Sequence, residues 1–406
     1  MKNIKDQSLS IIEHKTILLR LDLNVPLKNG EVVDDTRIQK IKNTIIFLLK
    51  TNSRILIISH VGRPNGRITD EMSLKPIAKK LENILKCSPD AQKIFGTNQN
   101  IILIKKNLKE INKEEIFKSK NERIVMLENI RFYEEEEKND KHFAKKISSL
   151  GDIYINDAFS CSHRSHASID KITEFLPSFA GLQFYEEVSA LKKITFEIKK
   201  PITCIIGGSK ISSKINIIKN LIPKFDNMVI VGGMANNILE YKGYCIGKSI
   251  KEDNCKNIID EIFKTAKNYS CLISYPEDVL VGKNLKDVSK VKELNDMNNE
   301  DLILDIGPKT IKKINKIIDE SKTILWNGPA GYFENPNFAN GSINIAKKIT
   351  ENNIKNKLYS VAGGGDTVSL LNTLNAVDNF NFVSTAGGAF LEFLEGKELP
   401  GIKALK

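Results

Sequence analysis

Short apolar runs alternate with longer amphipathic stretches from one end of the chain to the other. Continuous apolar runs separated by helical patterns are typical of strands covered on both faces, as in parallel sheets. The runs fall into two sets, and each set is large enough for a doubly wound α/β domain. The predicted strands are Ile17–Leu21, Ile55–Ile58, Ile101–Ile104, Ile124–Leu127 and Ile153–Ile155 in the first half, and Ile202–Ile206, Met228–Val231, Cys271–Ser274, Leu302–Asp305, Thr323–Trp326, Leu358–Val361 and Phe382–Ser384 in the second.

A helical pattern separates the two sets of strands. Val188, Leu191 and Ile194 recur at roughly helical spacing, and Pro201 ends any helix there. A length of 406 residues also suits two domains of ordinary size. We therefore predict a first domain, a connecting helix and a second domain at residues 1–184, 185–200 and 201–390.

Composition and charge narrow the function classes. The net charge is +11, but the lysines are scattered, which favours solvated basic faces over a nucleic-acid site and also suits anionic small substrates. Six cysteines lie far apart without a CxxC pair, which indicates free thiols in a reducing compartment. No apolar run reaches membrane length, and the N-terminus lacks a signal-peptide core. We expect a cytoplasmic protein without a nucleic-acid or membrane partner.

Charged and polar side chains follow the strands of the first half at the point where each strand ends. In open α/β sheets, ligands bind outside the carboxyl ends of the strands. Guanidinium groups match carboxylate and phosphate oxygens with two hydrogen bonds. The first half therefore predicts a site for a small, multiply charged anion. The candidates are Asp22, Asn24, Ser59, His60, Arg63, Glu128, Asn129, Arg131, Asn156, Asp157, His163, Arg164 and His166, together with Arg37 where a helical pattern begins.

Two other interpretations of these residues stay open. His163 and His166 could bind a metal, although no third ligand of suitable spacing accompanies them. Asp22 and Asn24 could form a turn and a cap with no ligand role.

The strand ends of the second half carry glycines instead. The run Leu358–Val361 leads into Gly363–Gly365, Asp366 and Thr367, and a helical pattern follows. Glycines at such a turn allow a ligand to approach the backbone, and the N-terminus of the next helix suits a phosphate. Asp366 adds a hard oxygen ligand, which is what a phosphate-bound Mg²⁺ prefers.

Similar turns recur along the second half, and two lysines follow the first of them. Lys210 and Lys214 are spaced to lie on one helix face. Neither GxxxxGK[ST] nor GxGxxG occurs, which excludes a P-loop and a standard dinucleotide fingerprint. The pattern indicates a nucleotide site of another kind, and Trp326 is expected in the core. The further turns are Gly207-Gly208, Gly232-Gly233, Gly307-Pro308, Asn327–Pro329 and Gly387-Gly388.

Ten strings of residues, in order along the whole chain, resemble the phosphoglycerate kinase family. Any one of them would be a weak match, whereas ten in order are highly specific. They are LDLNVP at 21–26, DDTRI at 34–38, SHVGRP at 59–64, LENIRF at 127–132, HRSHAS at 163–168, GGSK at 207–210 with Lys214 beyond it, DIGPKT at 305–310, WNGP at 326–329, GGGDT at 363–367 and LEFLEGKELPG at 391–401.

The resemblance implies two Rossmann-like domains separated by a cleft that closes by a hinge motion. The tail 391–406 would pack back on the N-terminal domain, and the enzyme would be a monomer. The implied reaction is reversible phosphoryl transfer between 1,3-bisphosphoglycerate and ADP, giving 3-phosphoglycerate and ATP in glycolysis and gluconeogenesis. Since nucleophile and leaving group are both anions, catalysis would rest on positioning and charge neutralisation.

The resemblance also implies roles for individual residues. The N-terminal domain would bind phosphoglycerate, and the C-terminal domain MgADP or MgATP. Substrate would be bound by Asp22, Asn24, Arg37, His60, Arg63, Arg131 and Arg164. Nucleotide would be bound by Gly207, Lys210, Lys214, Gly232, Asn327, Gly328, Glu334, Gly364, Gly365, Asp366 and Thr367, with Asp366 as the Mg²⁺ ligand. The catalytic positions would be Arg37, Lys210, Gly365 and Gly388.

The chain departs from the family pattern at a few places. Val231 and Ala386 replace glycines, so bulk is expected near the nucleotide, and Phe390 replaces a small polar residue. Cys161 and Ser162 stand where small residues are usual, whereas all the charged positions are intact. Two alternatives remain: a catalytically silent binding protein that uses the basic charge, and another α/β enzyme such as a dehydrogenase, which the missing GxGxxG disfavours.

Overall fold

The computed structural model describes residues 1–96, 99–119 and 121–406. Their contacts divide the chain into two compact units, one of residues 1–189 with 398–406 and the other of residues 190–397. The boundary lies inside the helix Leu182–Thr195, which begins and ends earlier than the helix expected at 185–200. The returning segment starts at residue 398 rather than at 391.

The first unit is built on one parallel sheet. Its strands are β1 (Thr16–Leu21), β2 (Leu27–Lys28), β3 (Glu31–Val32), β4 (Arg54–Ile58), β5 (Ile102–Ile104), β6 (Ile124–Leu127), β7 (Ile153–Asp157) and β8 (Ser178–Ala180). The sheet has the order β5-β6-β4-β1-β7-β8, and all its pairs are parallel. β2 and β3 form a separate two-stranded pair. The five strands expected in the first half are confirmed, whereas the short strands β2 and β3 and the edge strand β8 were not predicted.

Helices cover both faces of this sheet. Leu19 and Ile57 pack in a core on one face, and their neighbours Leu18 and Leu56 pack in a core on the other. This two-sided burial is why the strands read as continuous apolar runs. The helices are α1 (Leu9–Ile12), α2 (Thr36–Lys50), α3 (Lys75–Cys87), α4 (Pro89–Phe95), α5 (Glu134–Glu137), α6 (Lys141–Ser148) and α7 (Leu182–Thr195), and the unit also includes the C-terminal helix Pro400–Lys403.

The second unit contains a second six-stranded parallel sheet. Its strands are β9 (Ile202–Ile206), β10 (Asn227–Ile230), β11 (Leu272–Ser274), β15 (Thr323–Asn327), β16 (Tyr359–Gly363) and β17 (Phe382–Ser384), in the order β11-β10-β9-β15-β16-β17. Trp326 is fully buried in its core, as expected from the sequence, and it stacks on Phe380. The helices are α8 (Ile215–Leu221), α9 (Gly233–Tyr241), α10 (Lys256–Asn268), α11 (Pro308–Glu320), α12 (Asn340–Ile354), α13 (Gly365–Thr373) and α14 (Gly388–Leu394), so that Pro400–Lys403 becomes α15.

One predicted strand belongs to a different sheet. The run Leu302–Asp305 lies in β14 (Leu302–Ile306), which pairs antiparallel with β12 (Asp278–Gly282) in the small sheet β13-β12-β14, and not in the parallel sheet. β12 and β13 (Lys290–Glu293) were not predicted. An apolar run indicates burial but not the direction of the partner strand, and three of the five residues of β14 are only partly buried.

Candidate active-site residues

The carboxyl edge of the first sheet is organised around Asp22, which follows β1. Arg37, the second residue of α2, donates from Nη1 to Asp22 Oδ2 at 2.6 Å and to the Asn24 carbonyl at 3.1 Å. Ser160 donates to the same carboxylate oxygen. The side chain of Arg37 keeps 30% of its surface exposed. Asp22 therefore fixes a guanidinium group that still reaches solvent.

Arg131 joins the same edge through the loop that follows β4. The Gly62 backbone N–H donates to Asn24 Oδ1 at 2.9 Å, and Arg131 Nη1 donates to the Gly62 carbonyl at 2.9 Å. Arg131 is only 5% exposed, and its Nε lies 3.5 Å from Glu137. Burial is the main reason that the pKa of Arg131 is lowered, and the charge of Arg164 contributes. A second guanidinium group is thus held at this edge.

Arg63 and Arg164 lie outside this chain of hydrogen bonds. Arg63 is exposed and has no hydrogen bond or ion pair among the residues that the structure describes. Arg164 donates from Nε to His163 Nε2 at 3.2 Å. Of the predicted substrate residues, hydrogen bonds connect Asp22, Asn24 and Arg37 directly and Arg131 through Gly62, whereas Arg63 and Arg164 do not take part.

Three strand-end candidates have structural roles. Asn129 Nδ2 donates to the Val61 carbonyl at 2.8 Å, and Glu128 accepts from Ser73 Oγ at 2.7 Å. Asp157 accepts from a backbone N–H in the first turn of α7 at 2.8 Å. These carboxylate and amide groups hold the loops and the helix beside the carboxyl edge of the sheet, so they are already occupied by protein partners.

The sequence did not indicate the group that holds His60. Arg20, inside β1, is fully buried; its Nη2 lies 3.2 Å from His60 Nδ1, and its Nε donates to Ser168 Oγ at 2.9 Å. Burial, followed by the charges of Arg20 and Arg131, holds the pKa of His60 well below its usual range. His60 is therefore neutral at physiological pH. A charge in the middle of an apolar run was the available sign, because a buried charge requires partners.

His163 and His166 do not belong to a metal-ligand cluster among the described residues. His163 accepts from Arg164, and His166 Nδ1 lies 3.9 Å from the carboxylate of Glu136. Burial, with Arg131 as the next cause, lowers the pKa of His166 to about 3. Both rings therefore lie beside charged side chains: His163 beside Arg164, and His166 beside Glu136 and near Arg131.

One ligand cluster does occur in the described part of the chain, at Asp22, His60 and Cys161, whose ligand atoms lie within 4.8 Å of one another. However, Arg37 is 2.6 Å from the Asp22 carboxylate, and Arg20 Nη2 is 3.9 Å from the Cys161 sulfur. Two adjacent guanidinium groups disfavour a cation there and favour an anion.

The carboxyl edge of the second sheet is formed by two turns in direct contact. The Gly207 backbone N–H donates to the Asn327 carbonyl at 2.9 Å. A Cβ on Gly207 would lie 2.2 Å from the Pro329 carbonyl oxygen, and one on Gly328, whose φ is +103°, would lie 2.3 Å from the Gly207 carbonyl oxygen. Glycine is required at both positions because two backbones meet there.

Lys214 links these turns to the glycine-rich turn after β16. Its Nζ donates to Asn327 Oδ1 at 2.6 Å, and Asn327 Nδ2 donates to the Gly363 carbonyl at 2.7 Å. Thr367 Oγ1 accepts from the Gly328 backbone N–H at 2.7 Å. Burial lowers the pKa of Lys214, opposed by nearby acidic groups. Hydrogen bonds and the Asn327–Gly328 peptide bond thus connect four of the predicted nucleotide residues, which are Lys214, Asn327, Gly328 and Thr367.

Three further predicted residues of this edge are exposed: Lys210, Gly365 and Gly388. The Lys210 side chain is exposed, and its ammonium group makes no hydrogen bond or ion pair in the described part of the chain. Gly365 begins α13, and a Cβ placed on it would meet nothing within 4 Å. Gly388 begins α14 and is exposed as well. The protein itself gives no steric reason for a glycine at Gly365, since its φ is not in the left-handed region.

A cavity of about 560 Å³ opens beside these turns, a size typical of sites for small ligands. Gly232, Glu334 and Asp366, all predicted nucleotide residues, line it. Asp305 lies in its wall, where burial raises the pKa of the carboxyl to about 7. The sequence did not indicate the apolar wall, which includes Ile250, Leu285, Leu304, Tyr332 and Phe333.

The departures Val231, Ala386 and Phe390 point into the protein. Val231 and Phe390 are fully buried, Ala386 is 4% exposed, and none of the three lines the cavity. Val231 packs in the same core as Trp326. Their bulk is therefore absorbed by the core rather than by the cavity.

Comparisons with known proteins show the family of the chain. A family model described as phosphoglycerate kinase matches residues 6–397. The phosphoglycerate kinases of Bartonella bacilliformis and Wolbachia pipientis wMel are 42% and 43% identical, each over 97% of this chain and 96% of the relative. The solved structure of phosphoglycerate kinase from Coxiella burnetii has a TM-score of 0.88 at 35% identity, covering 99% of this chain and 98% of its own. The enzyme from Pyrococcus horikoshii OT3 gives 0.80 at 27%, covering 100% and 98%.

Two parallel-sheet α/β units, one with arginines at its strand ends and one with glycine turns beside a cavity, define a kinase of small anionic substrates. The chain belongs to the phosphoglycerate kinase family. Its reaction is the reversible transfer of a phosphoryl group between 1,3-bisphosphoglycerate and ADP, which gives 3-phosphoglycerate and ATP in glycolysis. None of the described helices combines the length and apolar character that a membrane crossing requires.

Proposed function

We propose that the first unit binds 3-phosphoglycerate or 1,3-bisphosphoglycerate and that the second unit binds MgADP or MgATP. The observation that carries this division is the contrast between the two carboxyl edges. Arg37 and Arg131 are held at the first edge by hydrogen bonds, whereas the second has a cavity and glycine turns. Guanidinium groups suit carboxylate and phosphate, and an apolar cavity suits a nucleobase.

In the first unit, Arg37 is the proposed catalytic cation. Its guanidinium group would contact the carboxylate of 3-phosphoglycerate and the phosphoryl group in transfer. Asp22 and Asn24 hold it through the contacts at 2.6 and 3.1 Å. Further donors would come from His60, Arg63, Arg131 and Arg164.

In the second unit, the cavity would take the base and ribose. Glu334, at its wall, would accept hydrogen bonds from ribose hydroxyls. Lys214 and the N-terminus of α13 would bind nucleotide phosphates through an ammonium group and backbone N–H donors. The further contacts proposed are Gly207, Lys210, Gly232, Asn327, Gly328, Gly364, Gly365, Asp366 and Thr367.

Asp366 is suited to Mg²⁺. It lies in the first turn of α13 and is exposed, and its carboxylate makes no hydrogen bond or ion pair with the described residues. A single carboxylate beside substrate phosphates is a usual Mg²⁺ site, since this ion keeps most of its other ligands as water and phosphate oxygens. When bound, Mg²⁺ would neutralise charge on the nucleotide phosphates.

The proposed chemistry requires no general base. In the ATP-forming direction, a β-phosphate oxygen of ADP attacks the acyl phosphorus, and the bond to the carboxylate oxygen breaks. Arg37, Lys210 and the backbone N–H donors at Gly365 and Gly388 would stabilise the charge on the transferring group. Exclusion of water is expected, because an acyl phosphate hydrolyses readily.

We also propose that the protein acts as a cytoplasmic monomer without a nucleic-acid partner. Many surface lysines are paired with acidic groups, as in Lys86 with Glu82 at 2.7 Å and Lys348 with Asp319 at 2.8 Å. The positive charge is therefore divided among local pairs rather than gathered into one phosphate-binding surface. Light scattering at a mass of 45.6 kDa would support the monomer, and twice that mass would refute it.

The direct test of the function is product formation. 3-Phosphoglycerate, MgATP and hydroxylamine are incubated with the protein, and the hydroxamate formed from trapped acyl phosphate is measured. Hydroxamate should appear only when both substrates and Mg²⁺ are present. Absence of hydroxamate with folded protein would refute the proposed function.

Gly365→Ala tests the proposed phosphate position. Because a Cβ at this site meets no protein atom within 4 Å, the fold should be unaffected. If nucleotide phosphate occupies that space, the methyl group should raise the KM for MgADP by about tenfold, which corresponds to ~1.4 kcal/mol.

The control is Ser369→Ala on the exposed side of the same helix, which should change neither KM nor unfolding temperature. An unchanged KM in Gly365→Ala would mean that the phosphates bind elsewhere.

A further inference from the structure

The contact between Arg20 and His60 determines where the histidine carries its proton. Arg20 Nη2 lies 3.2 Å from His60 Nδ1. A guanidinium group has only N–H donors and does not lose its proton in proteins, so Nδ1 must be the acceptor. A neutral imidazole that accepts at Nδ1 has its single proton on Nε2.

Protonation of both ring nitrogens is disfavoured at this site. His60 is 2% exposed, and Arg20 and Arg131 place positive charge around the ring. Burial and these charges hold the pKa of His60 well below its usual range. The ring is therefore neutral, in one tautomer.

The other nitrogen of His60 is free to bind a ligand. Nε2 makes no hydrogen bond with any residue that the structure describes, and it is not fully buried. It therefore retains contact with solvent. Asp22 lies beside the ring, since their ligand atoms are within 4.8 Å of each other. Nε2–H is thus a donor at the edge where Asp22 holds Arg37.

Arg20 is itself fixed by a buried network. Its Nε donates to Ser168 Oγ at 2.9 Å, and Ser168 Oγ donates to Glu136 Oε1 at 2.6 Å. The Ser168 backbone N–H donates to the other carboxylate oxygen at 2.9 Å. Arg20 and Glu136 are both fully buried, so the carboxylate offsets the buried guanidinium charge. This arrangement leaves Arg20 little freedom to turn away from His60.

We propose that Arg20 is a positioning residue that locks His60 in the Nε2–H tautomer, so that His60 donates a neutral hydrogen bond to an oxygen of the bound phosphoglycerate. The inference rests on the proposed function of the first unit. In this role His60 differs from the arginines, because it contributes a directional hydrogen bond without a positive charge. A carboxylate or phosphate oxygen accepts such a bond, whereas a hydroxyl that must donate would find no acceptor at Nε2.

Nitrogen-15 NMR of histidine-labelled protein tests the tautomer directly. The chain has five histidines, all in the first unit, and the His60 signal is the one lost in His60→Gln. Between pH 6 and 8 the wild type should show a proton on Nε2 only, and 3-phosphoglycerate should shift that signal. A proton on Nδ1, or on both nitrogens, would overturn the proposal.

Two substitutions of His60 test the Nε2–H donor through steady-state kinetics. The amide nitrogen of Gln overlays Nε2, and that of Asn overlays Nδ1. His60→Asn should raise the KM for 3-phosphoglycerate by about tenfold, which corresponds to the loss of one hydrogen bond to a charged group. His60→Gln should have a KM close to that of the wild type, because its amide nitrogen can still donate from the position of Nε2. The KM for MgATP should not change. Equal KM values for 3-phosphoglycerate in the two variants would contradict the proposal.

Arg20→Met tests the cause of the tautomer. Loss of the donor to Nδ1 should allow a mixture of tautomers, visible as proton signal on Nδ1. A spectrum identical to that of the wild type would refute the positioning role. If this variant does not fold, the wild-type spectrum and the two His60 variants still decide the question. A wild-type protein that forms no hydroxamate would refute the proposed function, whereas a wrong tautomer in an active protein would refute this inference alone.

Discussion

Arg37→Ala is expected to lower kcat by about 10³-fold while leaving the KM for MgATP within about twofold. Arg37 is the cation of the first edge that is both held by Asp22 and 30% exposed. An arginine that stabilises charge on a transferring phosphoryl group contributes about 10³-fold or more to the rate. The loss should therefore appear in turnover and in phosphoglycerate affinity, not in nucleotide affinity. Steady-state kinetics with each substrate varied in turn measures both.

Arg37→Lys separates charge from geometry. Lysine keeps the charge but cannot make the two contacts at 2.6 and 3.1 Å and also face a ligand. It should recover about tenfold of the lost turnover. Lys50→Ala, at the exposed end of the same helix, is the control and should behave as wild type. Equal loss of turnover and of nucleotide binding in Arg37→Ala would contradict the assigned role.

Lys214→Met should raise the KM for MgADP by ten- to a hundredfold, which corresponds to about 1.5–3 kcal/mol for a hydrogen bond to a charged group. The ammonium group lies 2.6 Å from Asn327 Oδ1 and joins two of the turns at the second edge. Its removal takes away a phosphate partner and leaves that amide oxygen without its donor. The KM for 3-phosphoglycerate should change by less than about twofold.

A lysine in α8, the helix that begins directly after Lys214, provides the comparison. Lys219 forms a surface ion pair with Glu261 at 2.6 Å, and Lys219→Met should leave both KM values unchanged because surface pairs contribute little. Unfolding temperatures of both variants exclude a general loss of stability. An unchanged KM for MgADP in a folded Lys214→Met would show that Lys214 does not bind nucleotide.

The strands of the parallel sheets could be predicted because the apolar pattern of each strand is contained in a short stretch of sequence. Ile17–Leu21 and Ile202–Ile206 are continuous apolar runs, and the structure has strands at both. The site edges followed from a general rule, since ligands bind at the carboxyl ends of parallel strands. Asp22 and Arg37 are 15 positions apart in sequence, yet they were expected at one edge and are in contact.

Other features depend on contacts that the local pattern does not contain. The run Leu302–Asp305 indicated a strand, but its antiparallel partner β12 is set by tertiary structure. Arg20 interrupts an apolar run without revealing its partners, which lie 40 and 148 positions away at His60 and Ser168. The apolar wall of the cavity comes from separate segments, such as Ile250 and Phe333. No spacing along the chain brings these together.

Each unit carries a spectroscopic probe that the other lacks. All five histidines are in the first unit, and Trp326, the sole tryptophan, is in the second. Trp326 donates from Nε1 to the Gly328 carbonyl at 2.8 Å, so its fluorescence should respond to changes in a turn that is proposed to bind the nucleotide. The two binary complexes can therefore be followed separately.

The most direct test of the account is to titrate each substrate alone while recording the His60 nitrogen signals and the Trp326 fluorescence. 3-Phosphoglycerate should shift the His60 signals and leave the fluorescence unchanged. MgADP should change the fluorescence and leave the His60 signals in place. If MgADP shifted the His60 signals and 3-phosphoglycerate changed only the fluorescence, the proposed division of the two substrates between the units would be wrong.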